Sequence, residues 1–135
     1  QGTILVLEAT NNRLQAFDVA GNAVRFFKKQ PHPWFLALDA TKSGDTVYLD
    51  VAIEHTGYVY VLSYDQGSSP FAYRLDVYAP DQKGTAPITT TPHVNAARVT
   101  VDFWRNVYTL NYDELARPGH AVEPSVSLWA PEVRS

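Results

Sequence analysis

Apolar and polar residues alternate over short stretches of this chain, and Gly, Pro, Asn, Asp and Ser interrupt them, the period-two signature of strands joined by turns. The clearest case is Val51–Asp65 (VAIEHTGYVYVLSYD) laid over Val99–Asp113 (VTVDFWRNVYTLNYD), an ungapped offset of 48 residues. Val51 meets Val99, Ile53 meets Val101, Glu54 meets Asp102 and Val59 meets Val107; Tyr60 meets Tyr108, Leu62 meets Leu110, Tyr64 meets Tyr112 and Asp65 meets Asp113. Agreement at so many pleat positions marks an internal repeat, and a repeat dictates architecture before any local feature does.

Each copy predicts a strand, a turn at Thr56-Gly57 or Trp104-Arg105, and a second strand. A third copy of that second strand opens the chain as Ile4-Leu5-Val6-Leu7. A further strand then follows in each unit, at Arg13–Phe17, Arg74–Tyr78 and Ser125–Trp129, and each ends in a large aromatic expected in the core. Turn chemistry comes next, at Asp18–Asn22, Ala79–Gly84 and Ala130-Pro131. A fourth strand is predicted at Ala23–Phe27 and at Ile88–Thr91, while Phe35–Leu38, inside an insertion at Trp34–Lys42, extends the outer strand of the first unit.

The expected fold class is therefore all-β and β-propeller-like, in one domain. It comprises about three four-stranded antiparallel blades, at roughly 1–42, 43–94 and 95–135, with the first and last incomplete. Three stacked sheets leave two open faces. The expectation is accordingly a fragment of a longer propeller, or copies that associate to complete one.

The run Asn11-Asn12-Arg13-Leu14-Gln15-Ala16-Phe17-Asp18, followed by Gly21-Asn22, resembles the NHL-type β-propeller repeat. Arg74–Tyr78 and Ser125–Trp129 fit that pattern loosely, so the likeness is specific over about 20 residues and topological elsewhere. Val94–Pro131, with Asn95–Arg98, Trp104–Asn106 and Glu123–Ser127, is similar to the closing region of large uncharacterised bacterial propeller proteins. The resemblance implies a ring of about six blades, an extracellular or cell-surface parent, and no assigned chemistry.

Composition narrows the function. The 135 residues are 45% hydrophobic and 19% charged, enough apolar material for one core. A net charge of −3, with no basic run beyond Lys28-Lys29, gives no footprint for nucleic acid or an anionic membrane. The apolar runs fall far short of the roughly 20 residues of a spanning helix. The count of 0 cysteines excludes disulfides, thiolate metal sites and cysteine nucleophiles.

No catalytic constellation stands out. His32, His55, His93 and His120 lack the spacing that puts two imidazoles on one metal, and there is neither a GxSxG elbow nor a Gly-rich phosphate cradle. Glu54 and Asp102, equivalent in the repeat, are expected to accept hydrogen bonds from turn amides, with a cation or substrate site as the alternative. Trp34 and Trp104 lie near predicted turns and are the aromatic contact candidates, whereas Phe17, Tyr78 and Trp129 read as core. The expected function is a non-catalytic interaction or structural module that binds a protein through its loops, such as Gln66–Tyr73 and Glu114–Glu123, with self-association to complete the propeller as the other expected partnership. The alternatives are a propeller hydrolase or lyase with an axial metal-dependent site, and carbohydrate binding. No cofactor is expected, a structural calcium ion being the alternative.

Overall fold

The computed structural model of the chain describes residues 3–8, 11, 13–25, 35–38, 46–67, 69, 71–80, 82, 86–111 and 125–129. Within these the protein is all-β, with ten strands and no α-helix. In chain order they are β1 (Ile4–Glu8), β2 (Arg13–Phe17), β3 (Phe35–Ala37), β4 (Thr46–Ile53), β5 (Val59–Asp65), β6 (Ala72–Tyr78), β7 (Thr89–Pro92), β8 (Ala96–Val101), β9 (Val107–Asn111) and β10 (Ser125–Trp129). No helix among the described residues is long and apolar enough to cross a membrane.

These strands form three antiparallel sheets in sequence order: β1-β2-β3, β4-β5-β6-β7 and β8-β9-β10. The repeat seen in the sequence recurs in the backbone. A register shift falls between Tyr48 and Asp50 in β4 and between Ala96 and Arg98 in β8, so both skipped residues, Leu49 and Ala97, stand 48 apart. Such a bulge bends the strand at the same point in both units.

The second sheet is covered on both faces, which explains why β5 is a near-continuous apolar run rather than a half-polar one. Val59, Val61 and Tyr78 pack into one cluster with Leu14, Leu36 and Leu38 of the first sheet and its continuation. Tyr60, Leu62, Leu75 and Val77 point the other way and pack with Val94, just ahead of β8, and with Ala96, Val99 and Val107 of the third. Successive side chains of one strand face opposite sides of the sheet, so β5 belongs to two cores at once. An Asp50 Oδ2 that accepts the Val99 amide at 2.9 Å ties β4 to β8 across the second joint.

The outer strand of the first unit meets the sequence expectation in part: the extension expected at Phe35–Leu38 forms β3, but its predicted start does not form a strand among the described residues. Ala23 makes a single bridge to Phe17, and the Val24 amide donates to the Ala16 carbonyl at 2.9 Å, just as Ile88 donates to Val77 at 2.8 Å. The partner of β2 is then resumed by β3, twelve residues after Ala23, along the same edge. The predicted continuous strand Ala23–Phe27 is thus a bridge at its start, and Phe26 and Phe27 lie outside the described residues.

Candidate functional site

Three five-residue turns share one hydrogen-bonding scheme at the same end of the sheets. In each, the first residue's amide donates to the fifth residue's carbonyl: Asp18 to Asn22 at 2.9 Å, Glu54 to Tyr58 at 3.0 Å, Asp102 to Asn106 at 3.0 Å. The fourth residue's amide returns to the first residue's carbonyl, from Gly21, Gly57 and Arg105. That fourth residue sits at positive φ, +88°, +103° and +66° respectively, a conformation glycine adopts freely and arginine does not.

The acid at the first position closes each turn with its side chain. Asp102 Oδ1 accepts the amides of Trp104 at 2.9 Å and Asn106 at 2.8 Å, and Asp18 Oδ1 accepts those of Ala20 at 3.0 Å and Asn22 at 2.9 Å. Glu54, one methylene longer, takes the Tyr58 amide at 2.9 Å and the Thr56 hydroxyl on Oε1. Burial works against the charge on Glu54, but the Thr56 hydroxyl, the Tyr58 amide and the Arg105 guanidinium overcome it and hold its carboxyl below the usual range. Asp102 is likewise held low: desolvation opposes, while Asn106, the Tyr108 hydroxyl and the Trp104 amide prevail. The Tyr108 hydroxyl, which donates to Asp102 Oδ2 at 3.0 Å, is pushed up in return.

The turns 54–58 and 102–106 also touch each other. The His55 and Phe103 rings, equivalent in the repeat, stack at 4.0 Å with 8° between planes. Arg105 Nε lies 3.3 Å from Glu54 Oε2, and its guanidinium sits 4.8 Å over the Tyr58 ring. Trp104 meets Phe103 edge to face, with centroids 5.8 Å apart. Phe103 and Trp104 remain 64% and 71% exposed, so the joint carries an apolar ledge of three rings above a neutralised carboxylate.

Of the residues singled out in the sequence, Glu54, Asp102 and Trp104 meet on this rim. Trp34, His32 and His120 lie outside the described residues, and His93 follows β7 at the opposite end of the second sheet. Trp129 packs on the core and donates to the Thr109 hydroxyl at 2.8 Å, Tyr78 is buried, and Phe17 is half-buried on an outer face. Phe103 was not picked out by sequence reasoning, His55 was weighed only as a metal ligand or base, and Arg105 only as a turn residue. Their signal was present in the offset of 48, which pairs His55 with Phe103 and Gly57 with Arg105.

Among the described residues, no group of three or more His, Asp or Glu side chains converges as a metal-binding set. Asp102 Oδ1 and Glu54 Oε1 are taken up by their own turns, while Asp102 Oδ2 also accepts from Tyr108 and Glu54 Oε2 faces Arg105 of the neighbouring turn. Chemically the site offers ring faces and edges, one guanidinium and no carboxylate free of turn contacts, which suits apolar contact. No family model, no curated protein and no solved structure matches the chain.

Proposed function

We propose that the chain is a stretch of β-propeller blades of the NHL type that acts as a non-catalytic interaction module, docking a protein partner on the ledge of His55, Phe103 and Trp104. The observation that carries this reading is the exposure of two large rings held on a rigid turn pair. Aromatic anchors backed by hydrogen-bonded scaffold contribute most of the binding energy at protein interfaces. Sheets that recur in order, with each joint built from equivalent positions, support the propeller part of the reading. The 77° angle between Phe103 and Trp104 makes a stepped ledge rather than a flat platform, which fits protein side chains better than a sugar ring.

A photo-crosslinking side chain placed at position 104, and separately at Gln66 at the opposite end of β5, tests the ledge in an extract of the source cells. A discrete protein adduct from position 104 and none from position 66 is expected. Replacing Phe103 by Ala should abolish that adduct, since loss of a hot-spot ring costs about 2 kcal/mol, roughly 30-fold in affinity. Equal labelling from both positions contradicts the proposal, and labelling confined to glycan replaces it with carbohydrate binding.

A further inference from the structure

The two internal joints specify what the two outer faces fit. In β5 and β6, the cross-strand pairs Tyr60↔Val77 and Leu62↔Leu75 form the face that is buried against the third sheet. In β9 and β10 the corresponding pairs are Tyr108↔Leu128 and Leu110↔Val126. There the same face is exposed, with no described residue packed on it as a core cluster: Leu110, Val126 and Leu128 are between 42% and 68% exposed. A concavity of ≈ 250 Å³ borders this face, lined by Arg98, Thr100, Tyr108, Leu110 and Val126 and also by Asp50 of β4.

The first sheet carries the other half of the joint. Val59↔Tyr78 and Val61 are the face of the second sheet that is buried under the first. Their counterparts in β1 and β2 are Ile4↔Phe17 and Val6, with Ile4 49% and Val6 40% exposed. One outer face therefore repeats the upper half of an internal joint, and the other repeats the lower half. Neither repeats both, so the match is head to tail rather than face to same face.

We propose that the outer face of the third sheet docks the outer face of the first sheet of a second copy of this chain, with Leu110, Val126 and Leu128 covering Ile4, Val6 and Phe17. The two faces themselves argue for a second copy: each repeats one half of an internal joint of this chain, so another copy carries the half that each one fits. This proposal uses the sheet faces and is independent of the rim ledge, whose partner it leaves unchanged.

The test is light scattering on the 135-residue chain and on two variants, one with Val126→Asp and Leu128→Asp, the other with Ile4→Asp and Val6→Asp. The wild-type chain at about 100 μM, above the micromolar end of standard interfaces, is expected at twice its 15.1 kDa. Each variant alone should run as a monomer with an unchanged far-ultraviolet spectrum. Mixed, they should form a 1:1 pair, because each supplies the face the other has lost. A wild-type chain that stays at 15.1 kDa overturns the proposal, as does association of either variant on its own, or failure of two folded variants to pair.

Discussion

At the scale of single residues, the fourth position of each rim turn decides how that turn tolerates change. A Cβ added to Gly57 would stand 2.8 Å from the Cβ of Pro80, whereas one added to Gly21 meets nothing within 4 Å. Both replacements force a side chain into the left-handed region, at about 1–2 kcal/mol. Gly57→Ala adds a steric clash worth roughly a further 1–3 kcal/mol. Urea unfolding should therefore place Gly57→Ala clearly below Gly21→Ala in midpoint, with similar slopes. Equal midpoints would mean that Pro80 moves aside freely.

The turn acids add a pH dependence whose sign follows from their lowered pKa values. Asp18 belongs with them, held low chiefly by the Asn22 amide. A carboxyl held below its unfolded value stabilises the fold fully above about pH 4 and progressively less as pH falls through the folded value. Acidification from about pH 5 to about pH 3 should lower the urea midpoint. Glu54→Gln should start from a lower midpoint, because it removes the buried partner of Arg105, and should then fall less steeply. Parallel titration of the two proteins would show that Glu54 is not among the groups responsible. The recurrence of the acid at 54 and 102 was legible in the sequence. The Asp18–Asn22 turn was legible as a turn, but not its sharing of one scheme with the other two, because it follows a different strand of its unit.

At the scale of elements, equivalent positions in the repeat differ in what covers them, and stability should report the difference. Leu62 is fully buried between the second and third sheets, while its counterpart Leu110 lies on an outer face. Leu62→Ala should cost about 2–5 kcal/mol. Leu110→Ala should stay within about 0.5 kcal/mol in dilute solution, where no second copy covers it. Strands β5 and β9 were readable because alternation fixes which residues share a face and the offset of 48 repeats that phase. The outer strand of the first unit was legible in part: the expected extension at Phe35–Leu38 is β3, whereas the expected strand Ala23–Phe27 shows only a bridge at Ala23 among its described residues. Local pattern gives strand character but does not say which of two apolar segments takes an edge.

For the whole molecule, the sheets succeed one another by using the two sides of each strand in turn, the feature that distinguishes a stack from a sandwich of two sheets. Alternation along a strand reveals that both sides are apolar, as in Val59–Leu62, without naming the neighbour on either side. That neighbour is set by contacts between units 48 residues apart, which no short window contains. The rim ledge shares this origin, since His55 and Phe103 meet only when the second and third sheets stack.

Nuclear Overhauser contacts between labelled methyl groups test the stacking most directly. Val61 and Leu62 are adjacent in β5, and the account requires them to see different sheets. Val61 methyls should show contacts to the Leu14, Leu36 and Leu38 group, and Leu62 methyls to Val99 and Val107. If both residues report the same neighbours, or if Val61 shows no contact with the first sheet, the three sheets are not stacked in series.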